Sequence, residues 1–196
     1  MSVLLIAGSP TERSRSAALL DAVAQRLLFK GIQSERLLIR DLSPQALILA
    51  DFGHPTISHA LGRVAKTDVV VIATPVYKAA YSGVLKVFLD LLPQNGLAGK
   101  TVLPLATGGS PNHMLALDYS LRPVLQSLGA KQILSGIYAT DSQVSVSDSG
   151  AYQVSEEIGQ RLDEAVNTLI TEALPASLAH TRRFKPVHFS QVRCSV

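Results

Sequence analysis

The feature that most constrains this chain is a five-times repeated alternation of a short apolar run with a segment of helical spacing. Val3 to Ala7 is continuously apolar, the pattern of a parallel strand covered on both faces. Helical spacing follows at Leu19, Leu20, Val23, Leu27 and Leu28 and stops at Gly31. A second strand is predicted over Glu35 to Ile39 and, after a connection containing Pro44, a second helix over Ile57 to Lys66. Asp68 to Ala73 is the purest strand and ends at Thr74-Pro75. Gly83 to Leu92 reads as a helix with Val84, Leu85, Phe88, Leu91 and Leu92 inward, and Thr101 to Leu105 as the fourth strand. A helix capped by Asn112 runs to Leu128 and stops at Gly129, Lys131 to Tyr138 is the fifth strand, and the last helix covers about Val154 to Leu174. Five such βα units predict an α/β fold, a doubly wound five-stranded parallel sheet with helices on both faces and right-handed crossovers.

Composition narrows the class. At 196 residues, 47% of them apolar and 17% charged, the chain fits one domain with a sizeable core. No apolar run approaches the roughly 18 residues that span a bilayer, and the opening segment lacks the charged n-region of a secretory signal, so no membrane partner is expected. The net charge is +3, and Arg182, Arg183, Lys185 and Arg193 supply four of the 18 basic residues from the end of the chain. The body carries no basic stripe, which speaks against nucleic acid. A lone cysteine, Cys194, excludes an internal disulfide and a multi-cysteine metal site and fits a reducing cytoplasm. Residues 1–174 are expected to form the domain and 175–196 a tail, either disordered or docked on another subunit.

In a doubly wound sheet, ligands bind beyond the carboxyl ends of the strands, which places function in the loops after strands one, three and four. The first, Gly8 to Ser16, sets hydroxyls at Ser9, Thr11, Ser14 and Ser16 and guanidiniums at Arg13 and Arg15 just before a helix N-terminus. Backbone N–H groups, the helix dipole and these donors together suit a phosphate monoester. The second, Pro75 to Gly83, carries Tyr77 and Tyr81 on a turn at a strand end, where a planar ring finds contact area. Lys78 on the same turn is a candidate for a phosphate of a second substrate. The third, Thr107-Gly108-Gly109-Ser110, turns several backbone N–H groups toward one point, as an edge that gathers negative charge requires.

Other chemistries are disfavoured. Neither G-x-G-x-x-G nor G-x-x-x-x-G-K-[ST] is present. The histidines His54, His59, His113, His180 and His188 have no metal-ligand spacing, so no metal is expected. There is no Gly-x-Ser-x-Gly elbow, and Thr74-Pro75 stands where a receiver domain needs its aspartate.

Three stretches resemble the NADPH-dependent FMN reductases: Gly8-Ser9-Pro10 with Ser14-Arg15-Ser16, then Ala73 through Gly83, then Leu103 through Gly109. The likeness is greatest to the reductases of two-component alkanesulfonate monooxygenase systems. Asp118-Tyr119 and the loop Asp141-Ser142-Gln143-Val144 extend the similarity, which covers about residues 3–174. The resemblance implies a flavodoxin-like fold of strand order 2-1-3-4-5, with FMN as cofactor and substrate and NADPH as hydride donor. It implies delivery of reduced flavin to a partner flavin-dependent monooxygenase, for sulfonate desulfonation in sulfur acquisition. By the same likeness Ser9, Ser14, Arg15 and Ser16 hold the flavin phosphate, and Pro75, Val76 and Tyr77 with Thr107, Gly108 and Gly109 border the ring. Related reductases have an arginine soon after the Gly-Ser; here Thr11 stands there and Arg13 is shifted.

Tyr119 stands out because Pro123 follows four residues later in a helical segment. Proline cannot donate to the carbonyl of Tyr119 and crowds it, so a kink or π-bulge is expected there. Similar reductases carry an inserted tyrosine in a π-helical turn at a subunit interface, associated with flavin exchange, which implies a homodimer or homotetramer. No catalytic side chain is expected, since hydride transfer to flavin needs alignment rather than an acid or base. Two alternatives stay open: a flavin-bound quinone or azo reductase, and a flavodoxin-type electron carrier, against which the positive net charge speaks. NADPH and NADH both stay open as donor.

Overall fold

A computed structural model describes residues 1–181 of the chain. Strands β1 (Val3–Ala7), β2 (Ser34–Leu38), β3 (Val69–Tyr77) and β5 (Thr101–Gly108) are parallel in the order β2-β1-β3-β5. The short β4 (Ala80–Tyr81) folds back antiparallel on β3. The predicted fifth strand is present in two pieces, β6 (Gln132–Ile133) and β7 (Ile137–Thr140), both paired parallel to β5. Counted as one strand, they complete the order 2-1-3-4-5.

The sheet buries both faces, as continuous apolar strands require. Leu4, Ile6, Val70, Ile72 and Val102 point to one core, covered by α2 (Pro44–Ile48), α3 (Pro55–Lys66), α4 (Gly83–Leu89) and α5 (Arg122–Ser127). Their neighbours Val3, Leu5, Val69, Val71, Leu103 and Leu105 point to the other, covered by α1 (Arg15–Phe29) and α6 (Glu156–Thr181). The period of two along each strand sorts the side chains between the layers. Arg26 ties α1 to α6, donating from Nε to Asp163 at 2.9 Å and from Nη2 to the Gly159 carbonyl at 3.0 Å.

Several sequence expectations need correction. Leu28 lies in the last turn of α1 and is 63% exposed rather than buried, with Phe29 exposed beside it. The helix after β4 ends at Leu89 rather than Leu92, although Leu91 and Leu92 remain buried in the turn that follows. Asn112 does not cap a long helix. Ser110 accepts from the Asn112 backbone N–H instead, opening a single 3-10 turn at Pro111–His113. A π-helical turn, Leu117–Leu121, then leads into α5. Its wide bond runs from the Arg122 N–H to the Leu117 carbonyl, since Pro123 has no N–H for Tyr119.

The same turn explains the split fifth strand. A Cβ on Gly136 would stand 2.7 Å from Leu117 Cδ1, so the chain between β6 and β7 is pressed against the π-turn and leaves the ladder. Arg122 takes up the carbonyls of Ile133 and Leu134, each at 3.2 Å. An antiparallel hairpin, β8 (Val144–Val146) and β9 (Tyr152–Val154), precedes α6. That helix continues through Pro175 to Thr181, past its expected end at Leu174. The remainder of the predicted tail lies outside the described residues. Among the described residues, no helix is long and apolar enough to cross a membrane.

Candidate active site

Three loops meet at the carboxyl ends of β1, β3 and β5, and a hydrogen-bonded base holds them together. The Gly8 N–H donates to the Ala73 carbonyl at 2.7 Å as β1 ends. The buried Ser82 hydroxyl donates to the Gly8 carbonyl and accepts the Leu85 N–H at 3.2 Å, so one side chain caps α4 and anchors the first loop. The Ser82 N–H donates to Thr74 Oγ1 at 3.0 Å. Ser82 and Thr74 stand in the resembling stretch, yet their spacing alone gave no sign that they join separate loops.

Above this base lies a cleft of about 250 Å³ lined by Thr11, Arg13, Ser14, Arg15, Pro75, Val76, Tyr77, Thr107, Gly108, Gly109, Asp141 and Tyr152. Eight of the ten ring and phosphate candidates line it; Ser9 and Ser16 are buried behind its wall. Ser9 Oγ lies 3.0 Å from Thr11 Oγ1 and accepts the Thr11 N–H at 3.2 Å, so it shapes the first loop from beneath. Ser14 caps α1, accepting the Ala17 N–H at 3.1 Å, and its hydroxyl is 3.2 Å from that of Ser16. The α1 N-terminus thus faces the cleft with hydroxyl donors preset around it, a donor set that fits a phosphate monoester.

Arg15 lines the cleft and is anchored through one nitrogen. Its Nε donates to the Val144 carbonyl at 2.9 Å and lies 3.6 Å from Asp141 Oδ1, so it clasps the β7–β8 connection to the start of α1. On the β5 side, the Tyr138 hydroxyl donates to the Ser110 carbonyl at 2.5 Å and passes directly under Gly108. Burial, reinforced by the nearby Asp141 charge, raises the pKa of this phenol above its ordinary value and keeps it a donor. Tyr77 is 49% exposed at the rim. Lys78 sits at the tip of the β3–β4 turn and does not line the cleft. Tyr119 also lies outside the lining; it is 79% exposed on the π-turn, with Met114 and Leu115 exposed beside it. Sequence reasoning missed Asp141 and Tyr152 as lining residues. Asp141 was visible in the 141–144 motif, but Tyr152 enters only through a hairpin with no apolar signature.

Comparison with known proteins fixes the family. The sequence profile of the family described as NADPH-dependent FMN reductase matches residues 1–145. The chain belongs to that family. It is 43% identical over 188 residues to the FMN reductase (NADPH) of Pseudomonas putida KT2440, covering 95% of this chain and 92% of the relative. To the FMN reductase (NADPH) of Escherichia coli K12 it is 43% identical over 168 residues, covering 86% and 87%. Among solved structures, the apo form of an NADH:FMN oxidoreductase (EMOB) superposes with a TM-score of 0.78 at 38% identity, covering 87% of this chain and 89% of that one. This FMN reductase family member is accordingly an oxidoreductase with a flavodoxin-like sheet.

Proposed function

We propose that the NAD(P)H-dependent FMN reduction of this family serves, in this chain, to release reduced FMN to a partner flavin-dependent monooxygenase, as in the two-component alkanesulfonate systems it resembles. The observation that carries the reading is the single cleft at the strand ends, where a phosphate cradle, an aromatic rim and a glycine turn adjoin. Bound FMN supplies the hydride acceptor. Ser14, Arg15 and the α1 N-terminus hold its phosphate, with Ser9 and Ser16 shaping that cradle. The segments Pro75–Tyr77 and Thr107–Gly109 border the ring, and their backbone dipoles stabilise charge on its edge. No lining side chain acts as acid or base; alignment of donor and acceptor does the work. The lone cysteine of the chain fits action in the cytoplasm.

Release needs an exchangeable flavin, and the exposed π-turn bearing Tyr119 supports that. Tyr119, Met114 and Leu115 present large apolar side chains to solvent beside β4, a surface suited to a second copy of the chain in a homodimer or homotetramer.

Anaerobic stopped-flow mixing with NADPH, with and without added FMN, tests the function: flavin should bleach only when FMN is supplied. Rapid turnover of quinones by protein that keeps its flavin would instead favour a quinone reductase. Deleting Tyr119 should replace the π-turn with an ordinary helical turn and yield protein that purifies with FMN bound. A deletion variant that purifies colourless and still turns over free FMN would exclude the role of Tyr119.

A further inference from the structure

Two guanidiniums line the cleft, and the structure uses them differently. Arg15 is anchored through Nε, which donates to Val144 and lies near Asp141. Arg13 is exposed, and no donor of its side chain makes a hydrogen bond or ion pair among the described residues. Only its carbonyl is engaged, accepting the Thr11 hydroxyl at 3.1 Å. The loop backbone is therefore fixed while the charged fork is left unoccupied.

The direction of that fork matters. A Cβ built on Gly150 would lie 3.6 Å from Arg13 Nη1, so the guanidinium reaches toward the β8–β9 turn, whose strands pack beside α1. The Ser14 hydroxyl and the α1 N-terminus, backed by Ser16, form one anion cradle. Arg13 lines the same cleft, exposed, with its fork free to meet a second phosphate group. Planar guanidinium forks pair two-pronged with phosphate monoesters. NADPH and NADH differ by one such group, on the adenosine ribose. Lys78, the other candidate for a substrate phosphate, projects from a hairpin tip outside the lining.

We propose that Arg13 is the specificity determinant for the hydride donor, pairing its guanidinium with the ribose phosphate monoester of NADPH. The assignment rests on the NAD(P)H-dependent FMN reductase reading above and deepens it. The flavin carries a phosphate monoester too, so the experiment separates the two sources. Steady-state KM values for NADPH and NADH, and Kd values for FMN and riboflavin, are measured on the unsubstituted chain, Arg13→Ala and Arg13→Lys. The unsubstituted chain should favour NADPH. Arg13→Ala should raise the KM for NADPH about tenfold or more, the loss of one charge-assisted pair, while the KM for NADH and the Kd for FMN each move by less than about twofold. Arg13→Lys should fall between, keeping the charge without the fork. Equal KM shifts for both nucleotides, no preference in the unsubstituted chain, or loss of FMN affinity with riboflavin affinity unchanged would each overturn the proposal; the last would assign Arg13 to the flavin phosphate. An unsubstituted chain that reduces FMN with neither nucleotide would remove the activity itself, a failure seen before any substitution is made.

Discussion

At the scale of single residues, the cleft is shaped by close approaches that leave little room for change. Gly108 is the clearest. A Cβ there would stand 2.6 Å from the Tyr138 hydroxyl and 3.3 Å from Val76 Cβ, so Gly108→Ala forces the phenol off the Ser110 carbonyl or moves the strand end. Overpacking of this kind costs about 1–3 kcal/mol, and urea denaturation should show a loss in that range. Adding Tyr138→Phe removes the clashing oxygen and should recover part of the loss; a double variant no more stable than Gly108→Ala would show that the clash lies elsewhere. This relation was not legible in the sequence. Thr107-Gly108-Gly109 announces a tight turn, but the phenol beneath it comes from the next strand. Arg13 and Arg15 make the same point. Alike in type and two positions apart, they are told apart only because Arg15 finds a carbonyl 129 residues away.

Among the elements, legibility followed the length and continuity of the apolar signal. β1, β3 and β5 are bare apolar runs whose burial on both faces is their only stable fate. The π-turn was foreshadowed by one residue, Pro123, because the missing N–H has a local consequence. The β8–β9 hairpin has strands of three residues in a stretch rich in serine, too short for any period to show. The division of the fifth strand depends on Leu117 pressing on Gly136 from another element. The β3–β4 turn is a further case. Its two central residues, Lys78 and Ala79, have φ of 50° and 65°, the left-handed pattern of a type I′ turn that glycine and asparagine normally fill. Each such non-glycine residue carries a cost of about 1 kcal/mol, so nothing in the residue types centres the turn on these two positions. Ala79→Gly should relieve the strain and, after the entropy that glycine adds to the unfolded chain, stabilise the protein by about 0.5 kcal/mol. A chemical denaturation midpoint that falls on substitution would mean that the left-handed backbone is not what limits the turn.

For the whole molecule, the two ends of the sheet do different work. The carboxyl end holds the cleft, the left-handed turn and the exposed π-turn, whereas the amino end is cross-tied. The Asp68 and Val69 N–H groups both donate to the Ser2 carbonyl at 3.1 Å, and the Thr101 N–H donates to the Asp68 carbonyl at 3.1 Å, so one junction joins β1, β3 and β5. The Asp68 carboxylate accepts the Ser2 N–H at 2.8 Å and the Ser2 hydroxyl at 3.0 Å. The Ser2 backbone bond is the largest influence on it and outweighs the opposing effect of burial, holding its pKa below the ordinary 3.8. A depressed carboxylate contributes stability above the unfolded value and loses it as pH falls through the folded one. The contribution should therefore be fully present at neutral pH and vanish only below 3.8. Because the side chain is 43% exposed, solvent screens the interaction, and Asp68→Asn should cost only about 0.5–1 kcal/mol at pH 7. Urea titrations should show the two proteins drawing together in stability as the pH is lowered through that acid window. FMN affinity should not change, since Asp68 lies at the end of β3 opposite the cleft; a variant that lost flavin binding in step with stability would mean that the two ends are mechanically coupled through the sheet.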